Sequence, residues 1–223
     1  MGIAGTIRSL SRRIRDSVRQ EGLPRMVLRA ALLPLSRELV LRYEPVETGY
    51  PREQGTPPPS LTARLARESD VKELVSLRPE YAADEILSRL RRGEECYLSV
   101  VDERIVSMRW TCTGEARLRY LGLSLPLGPD EVCDYELFTT PAYRRRAVRR
   151  PAYDLLNRRC SERGLHSRVN CVIPGRKPFG RDNPFSVATI RTVGLGPFRK
   201  LLVRTYGPQA EYWRERLKEL RWA

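Results

Sequence analysis

Five arginines occupy seven consecutive positions, Arg144 to Arg150, within the stretch PAYRRRAVRRPAY. Guanidinium groups form charge-assisted and often bidentate hydrogen bonds with phosphate and carboxylate groups. Such a run can hold a small anion, bind nucleic acid or simply face water, and its neighbours decide between these uses. It follows an apolar stretch that ends at Pro141 and precedes a helical pattern that begins near Pro151, so it is predicted to join a strand to a helix.

The start of a helix is a natural place for a phosphate group. Its first N–H groups lack intrahelical partners, and the positive end of the helix dipole lies there. A turn that enters the helix can also direct several backbone N–H groups at one phosphate. The candidate ligands are therefore Arg144, Arg145, Arg146, Ala147, Val148 and Arg149. The alternative is a solvated charge run beside a helix.

Two carboxylates precede the arginines on the predicted strand VCDYELFTT. They are Asp134 and Glu136, which two-residue alternation would place on the same face of that strand. Carboxylates at such positions can accept a proton or pair with a neighbouring arginine. The strand ends with Leu137, Phe138 and Thr139, directly before the basic run.

Cysteine and histidine usage argues against a metal site. The chain has five cysteines without a C-x-x-C pair and a single histidine, His166, so zinc-finger spacing is absent. An odd number of cysteines, mostly in apolar stretches, is typical of reduced core thiols in a cytoplasmic protein. We therefore expect no structural metal and a cytoplasmic location.

The 223 residues divide into three predicted parts. Residues 1–43 are predicted to be a basic, amphipathic helical extension, residues 44–60 a proline-rich linker, and residues 61–223 the main domain. A basic amphipathic helix can lie in an anionic membrane surface, so residues 1–42 are a candidate contact with the inner membrane surface. The alternative is that its apolar face packs on the main domain.

The main domain alternates strands and helices. The pattern predicts an α/β or α+β fold with a mixed, mainly antiparallel central sheet flanked by helices. The stretch NPFSVATIRTVG is predicted to be one of the helices, capped by Asn183 and ended by Gly194.

Three stretches of the main domain resemble the GNAT acyltransferase superfamily. LFTTPAYRRRAVRR resembles its strand and acyl-CoA loop, R/Q-x-x-G-x-G/A, with that loop at Arg144–Arg149. NPFSVATIRTVGL resembles its N-x-x-S/A motif, at Asn183 and Ser186. ARESDVKELVSL resembles the usual first strand and helix. The resemblance spans residues 61–207.

The resemblance implies an acyl-CoA-dependent N-acyltransferase, in the first place an N-acetyltransferase. Acetyl-CoA or another acyl-CoA would be the co-substrate, and the acceptor would be an amine on a small molecule or peptide. A backbone N–H within Leu137–Thr139 would polarise the acyl carbonyl, and the arginine loop with Asn183 and Ser186 would bind CoA. Glu136, with Asp134 as the weaker candidate, would remove the proton from the amine.

Three positions depart from the family pattern. Ala147 and Arg149 replace the loop glycines, and Ile190 stands where many members have a tyrosine that protonates the leaving thiolate. Alanine costs little there unless its φ must be positive. These departures motivate a second hypothesis, a catalytically degenerate GNAT-fold protein that binds or scaffolds.

A net charge of +14 also raises the question of nucleic acid. The chain shows no helix-turn-helix, RRM or zinc-knuckle signature, and its aromatic residues do not interleave with the basic run as a stacking platform requires. The sequence therefore favours a small anionic ligand over nucleic acid.

Overall fold

The computed structural model describes residues 36–46, 55–118, 120–172, 186–193, 200–207 and 210–222. The chain divides into two compact units, one made of Leu39–Thr189 with Arg204–Ala223 and one made of Met1–Glu38 with Ile190–Val203. The loop and carboxylates of interest all belong to the first unit.

The strands and helices of the described residues follow one another in a mixed order. The strands are β1 Ser36–Pro45, β2 Thr62–Leu65, β3 Glu95–Val101, β4 Arg104–Cys112, β5 Glu115–Leu118, β6 Leu123–Pro126, β7 Glu131–Thr139, β8 Ser167–Val172, β9 Ser186–Val193, β10 Lys200–Tyr206 and β11 Arg221–Trp222. The helices are α1 Val71–Leu77, α2 Ala83–Arg91, α3 Arg150–Glu162 and α4 Ala210–Arg216.

Within the first unit, the central sheet has the strand order β1-β8-β7-β4-β3-β2. Its pairings are antiparallel except that of β7 with β8, which is parallel. The predicted mixed, mainly antiparallel sheet with flanking helices is therefore confirmed. Strands β11, β6 and β5 form a second, small sheet.

Helices cover both faces of the central sheet. Leu98 of β3 packs in one apolar cluster with Leu74 of α1 and Ile86 of α2. Its neighbour Tyr97 packs in another cluster with Leu156 of α3. Because adjacent strand residues point to opposite faces, α1 and α2 lie on one face of the sheet and α3 lies on the other.

The structure corrects the predicted helical extension at its end. Residues 36–43 belong to strand β1, whose residues Val40–Pro45 pair with β8. Leu39, Val40 and Leu41 are all buried, as expected of a strand covered on both faces, and a run of this kind is easily taken for a buried helix. The rest of the predicted extension, residues 1–35, lies outside the described residues, so its membrane contact stays a prediction.

The structure also replaces the predicted helix over residues 183–194 by a strand, β9. Five of the eight residues of Ser186–Val193 are β-branched. Such side chains lose rotamer freedom in a helix and pack well in a sheet, which outweighs the cap signal of Asn183. None of the described helices is long and apolar enough to cross a membrane.

Candidate functional site

The arginine run forms a short connection between the end of β7 and the start of α3. A 3-10 turn over Pro141–Tyr143 follows the strand, and α3 begins at Arg150 with Pro151 in its first turn. The strand–loop–helix order predicted from the sequence is confirmed. The first turn of α3 contains no acidic residue, so no carboxylate of that turn competes with a bound anion for this helix end.

Two residues of the loop have left-handed backbone angles. Arg145 has φ +64° and Ala147 has φ +49°. This conformation costs an L-residue about 1–2 kcal/mol relative to glycine. Ala147 occupies a position where the motif has glycine, and its positive φ is the one that glycine would favour. Ala147 is therefore an alanine in a conformation that favours glycine.

One buried side chain and one glycine hold the loop in place. Val148 is 1% exposed and packs with Val101 and Val106 of the β3–β4 hairpin, so its side chain serves as an anchor rather than as a ligand. Gly55, which has a positive φ, lies against the Arg145 carbonyl, where a Cβ atom would collide with that oxygen. The loop shape is thus fixed from two sides.

The side chains of Arg144, Arg145 and Arg146 are exposed. The Nε of Arg144 donates to the Thr139 carbonyl at 3.2 Å, and the Arg146 guanidinium lies 5.8 Å from the Tyr143 ring centroid. Arg149 is half-buried and precedes the helix with α-helical angles. These three guanidinium groups, like that of Arg150, are therefore exposed at the start of α3, within reach of an anion in solution.

Strands β7 and β8 separate just before the loop. Their parallel pairing runs from Glu131–Ser167 to Asp134–Asn170, whereas β7 continues along β4 as far as the Thr139–Ser107 pair. In the described part of the chain, the β8-side edge of β7 beyond Asp134 has no paired strand. We call this opening, bounded by residues 135–139 of β7, the β7–β8 fork.

The fork directs backbone N–H groups away from β4. The Thr140 N–H donates to the Val106 carbonyl of β4 at 3.0 Å. Because backbone groups alternate along a strand, we expect the N–H groups of Thr139 and, where the strand leaves the bulge, of Leu137 to point to the opposite edge, into the fork. The Leu137 side chain is 40% exposed, while the Phe138 ring packs against the α1–α2 core.

Glu136 is held by an arginine. Its carboxylate forms an ion pair with Arg89 of α2, including a 3.2 Å contact between Arg89 Nη2 and Glu136 Oε1. Burial opposes the charged guanidinium, but the hydrogen bond and negative charge of Glu136 outweigh it and raise the pKa of Arg89. As a base, Glu136 would have to act from within this ion pair.

Asp134 lies on the other face of the sheet. It is buried and pairs with Arg109 at 3.2 Å, and the Arg109 guanidinium lies 4.9 Å from the ring centroid of Tyr153 on α3. The expected shared face is therefore wrong. The reason is a β-bulge, in which Glu136 and Leu137 together oppose Arg109, and the φ of +51° at Glu136 turns its side chain towards α2.

The second motif lies in a strand where the structure describes it. Asn183 lies outside the described residues, and Ser186 begins strand β9 rather than lying in a helix behind an Asn cap. Ile190, the residue at the usual tyrosine position, is 0% exposed in that strand. The structure thus removes the helical placement on which the correspondence of this motif depends.

Since Ile190 cannot donate a proton, Tyr135 and Tyr206 are considered as proton donors in its place. The Tyr135 hydroxyl donates to Glu94, and burial together with the negative charge of Glu94 raises the pKa of Tyr135, so this phenol stays protonated. Tyr206 is exposed on β10.

The five cysteines are free thiols, four of them buried and Cys171 partly exposed. The Sγ atoms of Cys133 and Cys171 lie 3.2 Å apart. Hydrogen bonding with Cys112 and Cys171, together with burial, raises the pKa of Cys133. This thiol is therefore protonated and is a poor nucleophile.

Sequence reasoning missed Arg89 and Gly55. Arg89 lies 47 positions before Glu136, so no local pattern connects the two. Gly55 stood out only as one of two glycines in the proline-rich stretch, and its contact with the loop depends on the tertiary fold.

No family model and no curated protein matches this chain. Among solved structures, it is similar to a ribosomal-protein-alanine N-acetyltransferase from Brucella melitensis biovar Abortus 2308, with 16% identity, a TM-score of 0.36, and coverage of 47% of this chain and 74% of that chain. It is also similar to a protein assigned to the GNAT family from Novosphingobium aromaticivorans, with 19% identity, a TM-score of 0.40, and coverage of 64% and 56%.

A third similar structure is a paia N-acetyltransferase from Thermoplasma acidophilum in complex with coenzyme A. Its identity is 10%, its TM-score is 0.36, and the match covers 48% of this chain and 75% of that chain. The solved structures that this chain resembles thus include two N-acetyltransferases and a protein assigned to the GNAT family. The resemblances are distant, and each covers part of the compared chains.

Proposed function

We propose that the chain is an acyl-CoA-dependent N-acyltransferase of the GNAT type, which moves an acyl group, in the first place acetyl, from a CoA thioester to an amine. The observation that carries this proposal is the left-handed Ala147 in a basic loop at the start of α3. An alanine in the conformation of the motif glycine supports a loop shaped to receive phosphate rather than an ordinary charged turn.

Phosphate groups of CoA would lie on this loop. The exposed side chains of Arg144, Arg145 and Arg146 would donate charge-assisted hydrogen bonds, and the first turn of α3 would contribute backbone N–H groups. Because guanidinium side chains are available, phosphate binding by this loop would depend less on backbone contacts than phosphate binding by a glycine-rich loop does.

The acyl end would enter the β7–β8 fork. There the N–H groups of Leu137 and Thr139 would donate to the thioester carbonyl, which stabilises the negative charge that develops on its oxygen during attack by the amine. The amine would attack the carbonyl carbon in its neutral form, the C–N bond would form, and the C–S bond would break to give CoA thiolate. The amine proton would leave through water, and a water molecule or a tyrosine would protonate the thiolate.

A binding or scaffold protein with this fold is the second candidate. The pairing of Glu136 with Arg89 and the buried Ile190 favour it, since neither residue offers a free acid or base. Release of free CoA thiol from acetyl-CoA in the presence of a panel of amines separates the two. Thiol release that depends on the amine supports the enzyme, whereas binding of acetyl-CoA without release across the panel supports the scaffold.

Replacing Ala147 by glycine is expected to stabilise the chain by up to about 1 kcal/mol and to tighten acetyl-CoA binding slightly, because glycine adopts φ +49° without strain. Urea denaturation and titration with acetyl-CoA measure the two effects. Ala142→Gly, in the neighbouring 3-10 turn, is the matched control and should lower stability. Equal losses in both variants would contradict the strained-loop account.

A further inference from the structure

An extra residue in β7 creates the β7–β8 fork. Trp110 of β4 is opposite Tyr135 and Met108 is opposite Phe138, so Glu136 and Leu137 share the space of one residue. A bulge bends its strand and increases the local twist. The pairing of β7 with β8 ends at Asp134, and the bend begins two residues further on.

The bulge depends on a residue in an unfavourable conformation. Glu136 has φ +51°, a value that a non-glycine residue keeps only when its surroundings hold it. The constraint comes from Arg89, whose guanidinium contacts both oxygens of the Glu136 carboxylate. The same guanidinium donates to Glu85 Oε1 at 2.6 Å, within α2.

Arg89 is itself fixed in place. It is 1% exposed, and its guanidinium lies 4.9, 5.2 and 5.8 Å from the ring centroids of Tyr81, Trp110 and Tyr135. Burying a guanidinium is costly, and an aliphatic side chain of similar size would fill this aromatic pocket without the cost. An aliphatic side chain could not bind the Glu136 carboxylate, so this ion pair is what distinguishes arginine at position 89.

We propose that Arg89 and Glu136 are positioning residues, a brace that keeps the β7 bulge in place and thereby keeps the β7–β8 fork open for the acyl group. This role rests on the proposed function for its chemistry, but the brace itself is a property of the protein without ligand. It gives Glu136 a different task from that of a base. The carboxylate holds the backbone that presents the Leu137 N–H, and it takes no proton from the amine.

The decisive comparison is Glu136→Gly against Glu136→Ala, since both remove the carboxylate but only glycine adopts a left-handed φ freely. Amide hydrogen exchange of peptides over residues 131–139, measured without ligand, is expected to rise in Glu136→Ala and to stay close to wild type in Glu136→Gly. Exchange at the wild-type level in Glu136→Ala would overturn the brace, whether or not the protein binds CoA.

Acyl transfer gives a second measurement. We expect Glu136→Ala to lower kcat/KM for acetyl-CoA by about tenfold and Glu136→Gly to recover most of that loss, with the pH profile of kcat unchanged. If Glu136 were the base, both variants would lose kcat equally and the basic limb of the profile would change. A wild-type protein without acyl transfer would refute the proposed function and leave the exchange experiment as the test of the brace.

A variant of Arg89, compared with a control variant of another arginine of α2, tests the other half of the brace. Arg89→Met removes the guanidinium that holds Glu136, whereas Arg91→Met removes an exposed guanidinium at the end of the same helix, paired with Glu68 at 3.3 Å. Exchange over residues 131–139 is expected to rise in Arg89→Met and to stay at the wild-type level in Arg91→Met. Wild-type exchange in Arg89→Met would contradict the proposal.

Discussion

Replacing Arg144 and Arg146 together by alanine is expected to weaken acetyl-CoA binding by about 2–4 kcal/mol, which is roughly a 30- to 1,000-fold higher Kd. Hydrogen bonds between a guanidinium and a phosphate are worth more than neutral ones, and the two side chains lie beside the start of α3. The loop shape should survive, since Val148 and Gly55 hold it from other directions. Isothermal titration measures the change.

The matched control is the double variant Arg91→Ala/Arg158→Ala. It removes the same formal charge from two exposed arginines whose ion pairs, at 3.3 and 4.0 Å, are long. Its Kd should stay within about threefold of wild type, because solvent and salt screen distant surface charges. If the two double variants lost affinity equally, net charge rather than the loop would attract the ligand, and the assignment of the arginine run would be wrong.

Replacing Arg168 by methionine is expected to lower the free energy of unfolding by about 3–5 kcal/mol. Arg168 is 0% exposed on β8, where it pairs with Glu44 at 3.5 Å and donates to Tyr153 and Asn157 of α3. Its guanidinium also lies 4.5 Å from the Tyr153 ring centroid. Without it, the buried Glu44 and Tyr153 and the half-buried Asn157 each lose a partner, and α3 loses a polar attachment to the sheet.

Urea denaturation measures this loss, and Arg163→Met is the comparison. Arg163 pairs with Glu95 at 3.5 Å but is exposed at the end of α3, so its removal should cost less than about 1 kcal/mol. Equal stability of Arg168→Met and wild type would mean that apolar packing replaces the ion pair without cost. In that case the polar attachment would not be what fixes the position of α3.

Local patterns predicted the part of the site that depends on neighbours in sequence. Alternation and the stop at Pro141 placed the strand, and the helical pattern that begins near Pro151 placed α3. These signals act over a few residues, so they depend little on the tertiary fold. Once the strand and the helix were placed, the arginine run between them was predicted to be the loop that connects them.

The predictions that were wrong concern features that depend on tertiary contacts. Asn183 gave a cap signal for a helix, but the β-branched residues that follow it form the strand β9. Alternation placed Asp134 and Glu136 on one face, and a bulge set by the buried Arg89 separated them. A bulge inserts one residue into a strand, which moves the next side chain to the other face without any local marker.

Titration of the full-length protein with acetyl-CoA tests the proposed function most directly. We predict saturable binding of one acetyl-CoA per chain with a Kd of about 1–100 μM, within the range usual for enzyme substrates, and a roughly 30- to 1,000-fold higher Kd in the Arg144→Ala/Arg146→Ala variant. The absence of binding by the wild-type protein at ligand concentrations up to about 1 mM would contradict the proposed function.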